Sequence, residues 1–319
     1  KVMSVMGQTG DSDLEMKTIL INNGFNLEFP GQVLQEANNL SDEITAEDLA
    51  ERRDMRTVTT FTIDPHDAKD FDDALSYRVL ENGNKEIGVH IADVAHYIQE
   101  GSALDKEAFE RSTSVYLVDR VLPMLPERLS NGLCSLRPNE DKFTFSAVFE
   151  FDEADKIVSR WFGRTLTHSD RRFTYEEAQE VIESGKGDFS DEILEMDRIS
   201  KVLRKRKFKN GAINFETDEV RFKLDEEAKP IGVYLKVRKD AHMLIEDFML
   251  LANREVAWYI SEKGKEKEIP FVYRVHDEPD PDKIANLKSF ALELGFEINI
   301  ESPKSIAYSF NSMREQAEE

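Results

Sequence analysis

The segment from Ile63 to Leu75, IDPHDAKDFDDAL, restricts the possible folds of this chain more than any other feature. Within ten residues it carries five aspartates: Asp64, Asp67, Asp70, Asp72 and Asp73. Carboxylates this close repel one another, so without a counter-cation several pKa values would rise or the loop would not compact. A divalent hard cation, which takes oxygen ligands, is the simplest remedy. The preceding run, TVTTFTI, is rich in β-branched residues and predicts a strand, so the first aspartate should lie at the end of a rigid element.

Three interpretations of this aspartate loop compete. A solvated acidic surface is the usual meaning of a charge run, but apolar residues such as Pro65 and Phe71 interleave with the acids and indicate packing. A calcium EF-hand beginning at Asp64 needs Gly at its sixth position and Glu at its twelfth, where this chain has Lys69 and Leu75. A magnesium site that acts on phosphate fits better, because Mg²⁺ takes few carboxylates and completes its shell with water and phosphate oxygens.

Composition excludes several classes of protein. The 319 residues include 64 acidic and 42 basic side chains, for a net charge of -22, which excludes a histone-like or arginine-tail protein. An enzyme acting on nucleic acid remains possible, because only the field of its channel must be positive. The single cysteine, Cys134, excludes an internal disulfide framework and a multi-cysteine zinc site. No apolar run reaches the roughly 18 residues of a membrane span, and the N-terminus lacks a signal-peptide core. We therefore expect a soluble, cytoplasmic chain without a membrane partner.

Alternating apolar runs joined by turn sequences predict a mixed α+β chain dominated by antiparallel hairpins. Three hairpins are expected: ALSYRV with EIGVHI, two runs around residues 152–155, and EVRFKL with IGVYLKV. FVYRV, residues 271–275, predicts a further strand. Capping residues, among them a capping box of Thr174 with Glu177, and helix-ending glycines predict helices over residues 11–24, 103–110, 174–185, 191–207, 240–262 and 281–294.

In the form TIDPHDAKDFDDA, the aspartate loop resembles the signature of the ribonuclease II and ribonuclease R family of exoribonucleases, whose catalytic module is called the RNB domain. Other segments resemble the family in the same order: HIADVAHYIQEGSALDKEA, SVYLVDRVLPMLPERLSNGLCSLRP, GAINFETDE, HMLIEDFMLLAN and YRVHDEPDP. The resemblance is strongest to the bacterial ribonuclease R branch. It implies three parts: residues 1–10 as the tail of a preceding OB or cold-shock-like domain, 11–56 as a connecting segment, and 57–319 as the N-terminal and central part of an RNB-like catalytic module.

The resemblance also implies an activity and its residues. The family's four catalytic, metal-binding aspartates fall on Asp64, Asp70, Asp72 and Asp73, and Asp67 is not among them. They would hold Mg²⁺ and position a water for attack on the 3′-terminal phosphodiester of single-stranded RNA. The products would be nucleoside 5′-monophosphates released one at a time from the 3′ end.

Four further residues would contact RNA if the resemblance holds. Tyr116 and Phe215 would clamp the last bases by stacking, although an aromatic residue in a strand is more often part of a core. Tyr175 and Glu246 would recognise the ribose 2′-hydroxyl, although Glu246 alone could lie on a solvated helix edge. A basic run over residues 201–209 has two explanations: complementing the dipole at a helix C-terminus, which we favour, or contacting the RNA backbone.

The resemblance ends before the family's catalytic module does. The family carries a later S-P-I-R-type motif, whose arginine stabilises the reacting phosphate, and usually an S1 domain after it. This chain reaches Glu319 without them. We therefore expect a fragment that is a poor catalyst by itself and that associates through apolar surface left uncovered. The alternatives are a non-catalytic RNA-binding or regulatory relative and a metal-binding structural domain. Four retained aspartates favour the enzyme, because an inert homologue has no need of such self-repelling charge.

Overall fold

The computed structural model describes residues 7, 11–214, 219–226, 229–275, 277 and 279–318. The chain divides into two compact units. The first comprises residues 1–179 and 219–237, and the second comprises residues 180–218 and 238–319.

A seven-stranded sheet forms the centre of the first unit. Its strands are β1 (Arg53–Asp54), β2 (Thr59–Asp64), β3 (Asp73–Val79), β4 (Lys85–Ala92), β7 (Asp141–Phe151), β8 (Ile157–His168) and β9 (Arg171–Thr174). Two short strands, β5 (Val115–Tyr116) and β6 (Val121–Leu122), pair separately, as do β10 (Glu219–Leu224) and β11 (Pro230–Lys236). The order in the large sheet is β1-β8-β7-β4-β3-β2-β9.

In the large sheet, adjacent strands among β2, β3, β4, β7 and β8 pair antiparallel. Among the described strands, only β9 with β2 and β1 with β8 pair parallel. All three predicted hairpins form, as β3–β4, β7–β8 and β10–β11. The predicted mixed α+β class with largely antiparallel sheets is therefore confirmed. Alternation along the strands directs large side chains into a core; Phe61 and Phe173 contact edge to face with ring centroids 5.6 Å apart. Burying each such side chain stabilises the fold by roughly 1.5–3 kcal/mol.

A layer of buried polar side chains crosses the sheet. His90 on β4 lies between two hydroxyls, with its Nδ1 2.6 Å from Ser146 Oγ and its Nε2 2.8 Å from Ser76 Oγ. The ring covers Gly88, two residues earlier on the same strand face, where a Cβ atom would meet both His90 Nε2 and Ser76 Oγ at 2.5 Å. Gly88 is therefore required by the space that the buried imidazole occupies.

The N-terminal region contributes helices α1 (Ser12–Asn22), α2 (Gly31–Asn38) and α3 (Ala46–Ala50). Val33 and Ala37 of α2 are buried in one cluster with Leu104 of α4 (Ala103–Arg111) and Leu129 of a π-helix, Arg128–Leu133. The predicted helix over 11–24 corresponds to α1. The predicted connecting segment, residues 11–56, thus also supplies side chains to the core.

The remaining helices are α5 (Tyr175–Ser184), α6 (Ser190–Lys209), α7 (Asp240–Gly264), α8 (Pro281–Glu293) and α9 (Pro303–Glu318). In the second unit α6 packs along α7, and Arg204 Nε donates to Asp247 Oδ2 at 2.9 Å. The strand predicted over residues 271–275 is wrong. Val272 and Val275 are exposed there, and the segment pairs with no other strand in the described ranges. Within the described part of the chain, no helix is both long enough and apolar enough to cross a membrane.

Candidate active site

The aspartate loop joins two neighbouring antiparallel strands at one edge of the sheet. Its first aspartate, Asp64, ends β2 opposite Thr174 of β9, and Asp73 begins β3 opposite Ile91 of β4. The last described pair between β2 and β3 is Phe61 with Leu75, so the strands separate beyond it. This separation leaves room for residues 65–72 between two rigidly placed aspartates.

Hydrogen bonds from a second segment hold the loop backbone. Ser135 Oγ accepts from the Phe71 amide at 3.0 Å and donates to the Lys69 carbonyl at 3.0 Å. The Leu136 amide donates to the Phe71 carbonyl at 2.8 Å, and the Ala92 amide donates to the Asp72 carbonyl at 3.0 Å. Backbone amides and carbonyls outside regular strands and helices need such hydrogen-bond partners wherever they are buried away from water. The loop is therefore ordered by its surroundings and is more than a solvated acidic surface.

Desolvation and like charge act together on the aspartates. Burial raises the pKa of Asp64 to about 7, and the negative charges of Asp73 and Asp72 raise it as well. Burial, followed by the charge of Asp72, raises the pKa of Asp73 to about 6. Desolvation raises the pKa of Asp72 too, and the charge of Asp70 adds to it. The four aspartates are thus electrostatic neighbours, as the sequence predicted.

Asp64 Oδ2 is buried and has no hydrogen-bond partner among the described residues. A buried carboxylate oxygen without a donor, beside like charges, is the environment that a bound cation would relieve. The donor set, carboxylate oxygens only, fits a hard cation such as Mg²⁺. In the described ranges, however, no three carboxylate, imidazole or thiol groups converge closely enough to hold a metal ion as they stand. The carboxylates share a loop without forming a preassembled cage.

Two of the four predicted RNA-contacting residues lie beside these aspartates. Tyr116, at the end of β5, is 65% exposed, and its hydroxyl donates to Asp70 Oδ2 at 3.3 Å. The ring is therefore not part of a core. Tyr175 begins α5 directly after β9; burial raises its pKa to about 12, and the charges of Asp73 and Asp64 contribute. The predicted capping box at this helix start is present, because Thr174 and Glu177 bond each other's backbone amides.

The other two residues differ in what the structure says of them. Phe215 lies outside the described residues. Glu246 lies on α7 of the second unit, where its carboxylate contacts the Arg238 guanidinium and Lys207 Nζ, the latter at 3.7 Å. Glu246 is therefore ion-paired rather than a solvated edge.

Cations of the basic run over residues 201–209 also have partners within the second unit. Lys201 pairs with Asp197 at 2.7 Å, and Arg204 pairs with Asp247. The first pair lies within α6, the second holds α6 against α7, and both explain part of the run without a ligand. Arg206, Lys207 and Lys209 lie in the last turn of α6, where the favoured explanation, complementing the helix dipole, places them.

Arg172 was not singled out from the sequence. It lies on β9 opposite Thr62 of β2, and its guanidinium donates to the backbone carbonyls of Pro65 and His66 at 2.5 and 3.0 Å. The same guanidinium lies 5.5 Å from the centre of the Phe71 ring, and its charge opposes the rise in the pKa of Asp64. No local pattern marks this residue, because its role depends on the pairing of two strands about 110 residues apart.

Comparisons with known proteins show which family this chain belongs to. The model of a family described as the RNB domain matches residues 52–319. Ribonuclease R from Thermotoga maritima is 41% identical over 303 residues, a match that covers 92% of this chain and 42% of that protein. Mycoplasma genitalium RNase R, solved in complex with ribose methylated single-stranded RNA, is similar at a TM-score of 0.89 and 30% identity, covering 98% of this chain and 49% of that chain.

A further solved structure, yeast Ssd1, is titled a pseudonuclease. It matches at a TM-score of 0.75 and 22% identity, covers 96% of this chain and 38% of that chain, and shows a shared fold alone. This chain spans less than half the length of each of these three relatives. Because the family model covers most of the chain and the aspartate loop lies within the matched region, the chain belongs to the RNB domain family.

Proposed function

We propose that this chain carries the catalytic aspartates of a 3′-to-5′ exoribonuclease, which hydrolyses single-stranded RNA with Mg²⁺ and releases nucleoside 5′-monophosphates. The observation that carries the proposal is the aspartate loop itself: burial and then neighbouring negative charge raise the pKa values of Asp64 and Asp73, and Asp64 keeps a buried oxygen without a donor. Buried carboxylates that repel one another destabilise the folded protein unless a bound cation and substrate offset the repulsion. The ribonuclease names of the relatives support RNA as the substrate.

Mg²⁺ held by Asp64, Asp70, Asp72 and Asp73 would stabilise negative charge on the reacting phosphate as a Lewis acid. The protein's own part is to hold the carboxylates in place. Strands β2 and β3 fix Asp64 and Asp73 from opposite ends of the loop. The Tyr116 hydroxyl orients Asp70 through its hydrogen bond to Oδ2.

Single-stranded RNA suits the aromatic residues near the loop. The exposed face of Tyr116 can stack on any base, and such stacking is worth roughly 1–3 kcal/mol per base without sequence preference. The Tyr175 hydroxyl, close to the charges of Asp64 and Asp73, would accept or donate to a ribose 2′-hydroxyl. We propose Phe215 as the second stacking residue and Glu246 as a further ribose contact, following the family resemblance.

The test is a nuclease assay on the full-length gene product, with single-stranded RNA labelled at its 5′ end and with Mg²⁺ present or absent. Asp72→Asn should lower the rate by about 10²–10³, the usual effect of removing one electrostatic stabiliser. Asp67→Asn is the matched control, because Asp67 lies in the same loop and is not one of the four. The labelled strand should shorten from its 3′ end with mononucleotides as products. Equal losses in the two variants, or internal cleavage, would refute the proposal.

The second candidate is a non-catalytic RNA-binding relative. The lack of a preassembled metal cage in the described ranges favours it. The self-repelling aspartates count against it, because an inert protein gains nothing from them. RNA binding that neither Mg²⁺ nor Asp72→Asn alters, with no turnover at any Mg²⁺ concentration, would select this candidate.

A further inference from the structure

A cavity of about 570 Å³ in the first unit adjoins the aspartate loop without including its four catalytic candidates. It is lined by the loop residues Lys69 and Phe71 together with Arg128, Asn131 and Arg137 from elsewhere in the first unit. Asp64, Asp70, Asp72 and Asp73 do not line it. The volume lies within the roughly 300–1,000 Å³ that small-ligand sites usually have. We call this space the cationic cavity.

The charges lining the cationic cavity are unusual for this protein. Three cations, Lys69, Arg128 and Arg137, line it with one carboxylate, Glu127, in a chain whose net charge is -22, and of the three only Arg128 has a carboxylate partner among the described residues, Asp42 at 3.6 Å. Neither the Lys69 ammonium nor the Arg137 guanidinium forms an ion pair or a side-chain hydrogen bond with any residue that the structure describes. Acidic side chains exceed basic ones 64 to 42, so partners for these cations are plentiful elsewhere. Two unpaired cations in one concavity therefore indicate an anionic ligand.

The walls of the cavity are fixed before any ligand arrives. The backbones of Lys69 and Phe71 are bonded to Ser135 and Leu136, directly before Arg137. In the segment that carries Arg128 and Asn131, Lys142 Nζ donates to the Gly132 carbonyl at 2.8 Å. Arg128 donates to the Leu40 carbonyl at 3.2 Å. Cations carried on ordered segments lose less freedom when a ligand binds, which favours affinity.

From these observations we infer that the cationic cavity binds a phosphate group. Guanidinium and ammonium groups together suit phosphate oxygens, since arginine donates two parallel hydrogen bonds and lysine adds a point charge. Two sources share this chemistry: a phosphodiester of an RNA strand, or the phosphate of a free nucleoside 5′-monophosphate. The first source rests on the proposed function and the second does not. A strand phosphate held by Lys69 would fix the register of RNA beside Asp70, because phosphate contacts position a strand without reading its sequence.

The first arm of the test measures binding of single-stranded RNA as a function of salt, in the Asp72→Asn background so that the strand survives. The double substitution Lys69→Gln with Arg137→Gln should reduce the slope of log affinity against log salt by about 0.7 for each cation removed. Affinity at low salt should fall at least tenfold, as expected when hydrogen bonds to a charged group are lost. Lys106→Gln is the control, since Lys106 is equally exposed on α4 and far in sequence from the cavity. Both side chains in the double variant are exposed, so its thermal unfolding should match that of the parent.

The second arm measures binding of AMP and of inorganic phosphate by calorimetry to the protein with and without the double substitution. A changed RNA slope with no AMP binding assigns the site to a strand phosphate. Loss of AMP binding with an unchanged RNA slope assigns it to a free mononucleotide. If the parent protein binds RNA and the double substitution changes neither the RNA slope nor AMP binding, the cavity inference is overturned. The proposed function then still stands. Failure of the parent protein to bind RNA refutes the proposed function, and the AMP result then decides the cavity by itself.

Discussion

At the scale of single residues, Arg172 and Tyr116 connect the aspartate loop to the rest of the first unit. Arg172 holds the loop from β9 through the carbonyls of Pro65 and His66. Tyr116 reaches the loop from β5 through Asp70 and presents an exposed ring. One residue therefore acts on the backbone of the loop, whereas the other acts on a side chain and offers a surface for a base.

Replacing Arg172 should impair turnover more than RNA binding. Arg172→Gln removes two charge-assisted hydrogen bonds to the loop, each worth about 1.5–3 kcal/mol, so the aspartates should lose their alignment. We expect kcat to fall at least tenfold with little change in KM. Arg172→Lys should rescue only part of the loss, because an ammonium cannot reproduce the planar fork. Arg171→Gln, next in sequence but paired with Glu177, is the control. A rise in KM with unchanged kcat would show that Arg172 does not position the aspartates.

Substitutions at Tyr116 should separate its two contacts. Tyr116→Ala should leave a longer final product, because losing a stacking platform worth roughly 1–3 kcal/mol releases short RNAs first. Tyr116→Phe keeps the ring and loses the hydrogen bond to Asp70, so its final product should match the wild type while its rate falls modestly. Product lengths resolved on a gel provide the measurement. An identical ladder for the alanine variant would remove Tyr116 from the RNA path.

At the scale of elements, β4 of the large sheet carries a tightly packed contact between the His90 ring and Gly88. The buried His90 imidazole fills the space above Gly88 and bonds to serines on both neighbouring strands. Burial, with a smaller contribution from the positive charge of Arg53, lowers the pKa of His90 to about 3. The packing of β4 thus depends on a neutral His90 and on a glycine, which has no side chain, at position 88.

Gly88→Ala should destabilise the protein by about 1–3 kcal/mol, the usual cost of overpacking a filled interior. The added methyl would lie 2.5 Å from both the imidazole and the Ser76 hydroxyl, and neither can move without breaking their hydrogen bond. Gly232→Ala on β11 is a matched control, because nothing lies within 4 Å of its added Cβ. Denaturant unfolding of both variants measures the difference. Equal midpoints would mean that β4 has more room than the structure shows.

His90 should also make the fold sensitive to acid. Its pKa falls from 6.5 to about 3 on folding, so its contribution is fully present above about pH 6.5 and is lost as the pH falls towards 3. Across that window the unfolded chain binds the proton first, which costs up to about 1.4 kcal/mol of stability per pH unit. His90→Gln should flatten this part of the curve of unfolding free energy against pH, whereas His66→Gln, on the exposed loop, should not. Parallel curves for the wild type and His90→Gln would contradict the assignment.

At the scale of the whole molecule, the chain combines a strongly acidic composition with one loop where carboxylates are forced together. The net charge of -22 spreads over two compact units, but among the carboxyl groups that the structure describes the largest pKa rises belong to the aspartate loop. Stability should therefore respond to divalent cations through this loop. The loop lies within the region that matches the RNB family, and the response tests the proposed Mg²⁺ site independently of turnover.

Mg²⁺ should stabilise the wild type by about 2.7 kcal/mol at one hundred times its Kd, because a cation that binds only the folded state shifts unfolding by mass action. Asp72→Asn should lose most of this gain. Without Mg²⁺, the same variant should be at least as stable as the wild type, because asparagine removes like-charge repulsion. Thermal unfolding across a Mg²⁺ series, with Asp67→Asn as the control, measures both effects. Equal gains in wild type and Asp72→Asn would place the metal elsewhere.

The sequence alone determined whatever depends on short stretches of chain. The raised pKa values in the aspartate loop, the Thr174–Glu177 capping box and the three hairpins were predicted correctly, because repulsion, capping and turn geometry act over a few residues. The strand predicted at residues 271–275 was wrong, since a β-rich run becomes a strand only beside a partner. Helix α9 was not predicted at all.

Only the tertiary structure decided what surrounds the aspartate loop. Ser135 and Arg172 reach it from about 64 to 107 residues away in sequence, through the folding of residues 134–136 against the loop and the pairing of β9 with β2. The cations of the cationic cavity likewise come from separate segments. Such neighbours depend on how strands and loops pack together, and packing is a sum over the whole unit that no local window of sequence contains.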